Sequence, residues 1–265
     1  MLRRLTWTRQ ADAEMIAPVN ATRRSWIVVA ATLGALAAAP PAFAGDRLPD
    51  LGMARITDVK LDKSTIAHHR LLRYSALIVN VGQGAFELDG SRPDTATPGM
   101  TMLQRIYSDT GGSRDVAVPA TAFYSGDGHN HWHVRDLENG TLRRADNGNQ
   151  VGGLAKHGFC FFDTSGYRLS LPGAPQSPVY TGCGTESSLN VRMGISVGWG
   201  DLYPWDIAFQ YIDVTGLPNG PYRLTSSVNA QPLGLVQSSQ ANDATWVDLK
   251  LKNGSVSVTG YGPSA

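Results

Sequence analysis

A period of two is the feature that most restricts what this chain can fold into. Apolar and polar residues alternate along much of it, and no stretch beyond residue 44 carries a long helical period. Alternation of this kind places successive side chains on opposite faces of an extended strand. In LLRYSALIVNVG, Leu77, Val79 and Val81 share a face; Tyr222, Leu224, Ser226 and Val228 do the same after the turn Leu217-Pro218-Asn219-Gly220-Pro221. The segment DIAFQYIDVT, Asp206 to Thr215, reads as mostly strand, and WVDLKLKNGSVSVTGY reads as a hairpin turning at Asn253-Gly254. With 29 glycines and 15 prolines in 265 residues, the expected fold is all-β: a β-sandwich core of short antiparallel strands joined by long ordered loops. Two stretches, 89–128 and 163–194, are rich in Gly, Pro, Ser, Thr and Asp and are expected to be irregular. Loops of that length in a compact domain are commonly functional, and the residues capable of chemistry lie beside them.

Residues 1–44 stand apart. Arg23 and Arg24 precede the apolar run WIVVAATLGALAAA, and Ala42-Phe43-Ala44 follows. A positive flank, a short apolar run and an A-x-A site make an export signal cleaved after Ala44, leaving 45–265 as the working domain. The apolar run is shorter than the roughly 20 residues that a membrane span needs, so no stable membrane insertion is expected. The arginine pair is compatible with twin-arginine export, and a secreted or extracytoplasmic location follows. The remaining chain carries 18 Lys and Arg against 20 Asp and Glu, a balance that gives no reason to expect nucleic acid as a partner. Two cysteines, Cys160 and Cys183, lie in the exported part, where an oxidising compartment favours pairing over the rival Cys–His metal site.

The stretch GHNHWHV holds three of the six histidines at alternate positions. On an extended segment His129, His131 and His133 would project from one face, with Asn130 and Trp132 turned away. Three neutral imidazoles suit copper(II) or zinc(II), either of which tolerates an open coordination position. A wet strand face that merely tolerates histidine is the plain alternative. A zinc hydrolase would need a general base, for which Asp127 or Asp136 is placed; a metal-binding protein needs only the ligands. The histidines alone do not choose between these.

Beyond them the chain reads KHGFCFFDT from Lys156 to Thr164, then GISVGWGDLYPWDIAFQYIDVTGLPNGPYRL, with LPDL at Leu48 and LLRYSALIVNVGQG upstream. In this order, over most of residues 48–251, the sequence resembles the catalytic domain of the lysyl oxidases, secreted copper amine oxidases. The resemblance implies copper(II) on His129, His131 and His133. It implies a lysine tyrosylquinone formed from Lys156 and Tyr203, whose carbonyl condenses with a primary amine. A base then takes a proton from the amine's α-carbon, an aldehyde is released, and dioxygen is reduced to hydrogen peroxide as ammonia leaves. Asp201 is the preferred base, with Asp206, Asp213 and Gln210 as polar support and His157 as a further proton carrier. Trp132, Trp199 and Trp205 either pack loops or line an apolar approach. The chain departs from the animal enzymes in keeping only two cysteines, so their collagen and elastin specificity is not carried over; lean cysteine use and the signal look bacterial. The expected substrate is a primary amine or peptidyl lysine. A copper-binding protein of the same fold without a matured quinone is the main alternative, and a zinc hydrolase the weaker one.

Overall fold

A computed structural model describes residues 45–125 and 129–265, so the expected export signal and Asp127 lie outside the described residues. Every regular element described is a strand, and the strands form three antiparallel sheets. Among the described residues no helix is long and apolar enough to cross a membrane.

The C-terminal hairpin forms where its pattern places it. Ala244–Lys252 pairs with Ser255–Tyr261, and Asn253 (φ 50°) and Gly254 (φ 74°) supply the two left-handed positions that a tight hairpin turn needs. This hairpin is one side of a five-stranded sheet that continues through Gly220–Val228 and Glu138–Arg144 to Gln150–Gly153. In Gly220–Val228 the alternation matches burial, with Tyr222, Leu224, Ser226 and Val228 inward.

The six-stranded sheet is built on Leu71–Asn80. Its first half pairs with Thr57–Asp62 and Tyr211–Asp213, its second half with Leu51–Met53 and Trp199–Tyr203. With partners on both edges and packing on both faces it is buried almost throughout, so the alternation read in its sequence does not separate a wet face from a dry one. Tyr211–Asp213 is all the strand that DIAFQYIDVT contains, because residues 205–209 turn instead. The stretch 89–128 also differs from expectation: Gly99–Ser108 and Ser113–Ser125 are long paired strands within the seven-stranded sheet. Stretch 163–194 is largely irregular, as its composition indicates.

The chain running from Gln150 to Phe159 links two sheets. Gly153 lies opposite Thr141 and Leu154 N–H donates to Gly140 (2.8 Å), within the five-stranded sheet. Further along, Asp136 N–H donates to His157 (2.8 Å), and Gly158 and Phe159 lie opposite Arg135 and Val134 in the seven-stranded sheet. Three steps on one side, 154 to 157, therefore match four on the other, 140 to 136. The extra residue is accommodated where Asp136 takes a left-handed φ of 55°, the geometry of a β-bulge. Lys156 sits at this register break.

Apolar side chains of all three sheets meet in one cluster, including Phe86 and Trp132, Leu142 and Tyr222, Leu72 and Ile78. Cys160 and Cys183 are disulfide-bonded, the pairing expected from the sequence. The bridge joins two anchored carbonyls: that of Cys183 accepts from Trp132 N–H (3.1 Å), and that of Cys160 accepts from the Tyr203 hydroxyl (3.1 Å). Replacing Cys183 by serine is expected to lower stability by about 3 kcal/mol on the chain-entropy estimate. Chemical denaturation of wild type and variant checks this, equal midpoints being the contrary result.

Candidate active site

His131 and His133 occupy alternate positions of the strand His131–Arg135, held in register by Ser125 and Phe123 of the neighbouring strand. Trp132 between them turns to the opposite face. It is fully buried, its Nε1–H donates to the Thr185 carbonyl (2.8 Å), and the Arg92 guanidinium lies 4.6 Å from its ring centre. His129 is not on this strand. It precedes a turn in which Asn130 adopts φ 51°, a conformation that asparagine tolerates better than most residues. The expected five-residue extended run is thus a strand plus a turn, yet all three imidazoles converge. One ring nitrogen from each lies within 4.8 Å of the others, and Nε2 of His131 and Nε2 of His133 are 2.8 Å apart.

That donor set fits a metal. Two nitrogens at about 2 Å from one ion lie about 3 Å apart, and three neutral imidazoles suit copper or zinc. His133 is buried and held edge-on by Phe123, with ring centres 5.7 Å apart. Gly158 lies against it: a Cβ there would stand 2.6 Å from His133 Nδ1 and 2.9 Å from Phe123 Cζ, so this position has no room for a side chain.

Across the cavity, strand Trp199–Tyr203 presents Asp201 and Tyr203 inward by the same alternation that leaves Leu202 exposed. Tyr203 is buried with its ring edge-on to Phe159 (5.2 Å), and burial, then the neighbouring Asp201, pushes its phenol well above the ordinary range. Asp201 is buried as well. Its Oδ1 accepts from the Thr164 hydroxyl (3.1 Å), while Oδ2 has no hydrogen-bond partner. Burial raises its carboxyl to about 7, with the nearby Tyr203 hydroxyl and the hydrogen bond from Thr164 acting against it. Lys156, also buried, places Nζ 5.5 Å from the centre of the Tyr203 ring and 5.3 Å from that of Phe159. One cavity of about 220 Å³ is lined by the three histidines, Lys156, Asp201 and Tyr203, with Phe162, Leu202, Pro204 and Ile207 as apolar wall.

Residues 119–260, more than half of the chain, match the family model of lysyl oxidase. The chain belongs to the lysyl oxidase family. No curated protein matches the chain. The matched region contains every residue of the cavity, and the upstream likenesses at Leu48 and in LLRYSALIVNVGQG lie before it. Membership together with the imidazole cluster assigns this lysyl oxidase family member to metal-dependent amine oxidation in general terms.

Other residues named from sequence lie differently in this lysyl oxidase domain. His157 pairs with Asp136 (2.7 Å) in an exposed position beside a second cleft, of about 230 Å³, which Lys156, His129 and His133 also border. Asp206 is exposed, and Asp213 pairs with His69 (2.6 Å); neither lines the cavity. Gln210 is wholly buried beside Tyr211, whose carbonyl accepts from Ala155 N–H (2.9 Å), and both its amide atoms lack hydrogen-bond partners. The tryptophans pack: Trp199 donates to the Pro175 carbonyl (2.8 Å), and Lys60 Nζ lies 3.5 Å from the Trp205 ring centre. Thr164 was visible in sequence only as part of a motif. Its hydroxyl accepts from Leu202 N–H (2.6 Å) while holding Asp201, a function that no local pattern announces.

Two outcomes are expected. Gly158→Ala forces His133 aside and should weaken metal binding on the order of 10–100-fold, the usual range for disturbing a ligand's support. Equilibrium dialysis with copper(II) measures it, and unchanged affinity would argue against His133 as a ligand. Asp201 binds its proton more tightly in the fold than in the unfolded chain, so metal-free protein should lose stability as pH rises from about 4 to 7. The loss attributable to this group is at most roughly 4 kcal/mol. Asp201→Asn should flatten that part of the profile, as read by thermal melts at both ends of the window.

Proposed function

We propose that the chain is a copper- and quinone-dependent oxidase of primary amines, peptidyl lysine among them. The observation that carries this reading is the cavity itself: three imidazoles, a buried lysine, a buried tyrosine and a buried carboxylate share it. The donor set fits copper(II), and Lys156 stands over the Tyr203 ring as the precursors of a lysine tyrosylquinone should. When formed, that cofactor supplies an electrophilic carbonyl for a primary amine and, with copper, a route for its electrons to dioxygen.

The protein's own residues do the rest. Asp201, raised to about 7 by burial, is close to the pH at which a carboxylate is both ionised and basic enough to take a proton from the carbon beside the amine. Thr164 fixes one carboxylate oxygen and leaves the other for that proton. The Cys160 carbonyl fixes the Tyr203 hydroxyl, and the apolar wall keeps water from the reacting carbon. Removal of residues 1–44 on export would leave 45–265 as the catalytic domain, acting outside the cytoplasm.

Mature protein incubated aerobically with copper(II) should yield, on digestion, a covalently joined pair of peptides containing Lys156 and Tyr203, and should release hydrogen peroxide with a primary amine. Lys156→Ala should keep its metal and lose the peroxide. Unjoined peptides with metal bound and no peroxide would instead indicate a metal-binding protein of the same fold.

A further inference from the structure

The candidate active site borders two spaces. The cleft of about 230 Å³ beside His157 shares His129, His133 and Lys156 with the main cavity, and beyond them Phe123, Arg135 and Phe209 wall it. The two spaces differ in chemistry. The main cavity holds Asp201 and an apolar wall, whereas no carboxylate lines the side cleft among the described residues. Gly158 contributes only backbone to that lining.

Arg135 ends the strand His131–Arg135 and lies opposite Gly158 in register. Alternate residues of a strand share a face, so Arg135 and His133 point the same way. Phe123 contacts both: the guanidinium carbon is 4.5 Å from its ring centre, and the His133 ring meets it edge-on at 5.7 Å. Stacking uses one flat face of the guanidinium and leaves its N–H edge, a fork that matches a carboxylate. Among the described residues that edge has no ion pair or hydrogen bond, and the adjacent acid, Asp136, is taken by His157 (2.7 Å). The remaining wall, Phe209, is 44 % exposed and adopts φ 63°, a left-handed conformation that a bulky residue rarely takes. A tight turn enforces it, with Tyr211 N–H donating to the Phe209 carbonyl (2.7 Å). Strain of this kind gathers at ligand-binding positions, and here it sets an apolar ring on the same cleft as the guanidinium.

We propose that the side cleft is a substrate subsite and that Arg135 determines its specificity: it binds a carboxylate carried by the amine substrate, while Phe123 and Phe209 pack against the methylenes between. The substrate is then a primary amine with an anionic far end, its amine directed to the main cavity. A second ammonium at that end would meet a cationic wall and be disfavoured. The carboxylate belongs either to a small amino acid or to an acidic side chain beside a peptidyl lysine, and the chemistry at Arg135 is the same for both. The inference rests on the amine-oxidase reading for the fate of the amine, but the subsite is testable without metal.

Metal-free protein is titrated calorimetrically with ε-aminocaproate, hexylamine and cadaverine, which carry the same amine on a chain ending in a carboxylate, a methyl group or a second ammonium. ε-Aminocaproate should bind about fivefold more tightly than hexylamine, the scale of one exposed charge pair, with cadaverine weakest. Arg135→Gln should erase that preference, Arg135→Lys should restore part of it, and Arg135→Glu should reverse the order in favour of cadaverine. Arg135 is exposed, so these substitutions leave the core untouched. Acetyl-Lys-Glu amide against acetyl-Lys-Gln amide repeats the comparison on a peptide, and whichever pair depends on Arg135 identifies the source of the carboxylate. No preference for the carboxylate in either pair, or a preference kept in Arg135→Gln, would overturn the proposal. In copper-loaded, aerobically matured protein Arg135→Gln should act on KM for the carboxylate-bearing amine rather than on kcat. Should no amine be turned over at all, the amine-oxidase reading fails while the titrations still judge the subsite.

Discussion

Everything at this site depends on one antiparallel ribbon crossing from one sheet to another. The strand bearing His131 and His133 continues past the left-handed Asp136 into the strand bearing Glu138, while the returning chain carries Lys156 and Gly158 alongside. A single extra residue in the first chain shifts the register between the two sheets. That shift places Lys156 at the junction of the two sheets, while the next residues on its own chain lie across from the strand bearing His131 and His133. Gly158 completes the arrangement, because the His133 ring rests where any side chain would be. Ligands and lysine are thus coupled through a few backbone hydrogen bonds rather than through a flexible loop.

Buried polar groups are the second theme. Asp201 and Glu138 both lie in the interior with one oxygen hydrogen-bonded and one not, and burial lifts both into the neutral range. An ordinary core would exclude such groups, since each unpaired buried polar atom costs about 1–3 kcal/mol. Contrast Asp163, which is equally buried but accepts from Val179, Tyr180 and Ser196 and serves only to organise the loop. Incomplete satisfaction sets Asp201 and Glu138 apart from it.

The disulfide relates these parts to the loop that follows. Through its two carbonyls it touches the metal strand at Trp132 and the tyrosine at Tyr203. A chain with only two cysteines has placed its one bridge between the imidazole side of the cavity and the Tyr203 side.

Local signals were legible where neighbours in sequence set the geometry. Alternation and an Asn-Gly pair specify the C-terminal hairpin, because strand pleat and left-handed turn positions are local properties. The histidine spacing, the Lys156 motif and the DLYP segment likewise pointed to the groups that share the cavity. Alternation failed along Leu71–Asn80, where both faces are covered, and in Asp206–Thr215, where a turn interrupts a strand-like run. It also misplaced His129, whose approach depends on the conformation of Asn130. Sequence alone determined the all-β class, the disulfide partners and the residue types that gather in the cavity. Tertiary structure decided which carboxylates are buried, that Thr164 holds Asp201, and that the Cys160 carbonyl holds the Tyr203 hydroxyl. Those outcomes depend on register and desolvation between strands far apart in the chain, and neither is encoded in any local pattern.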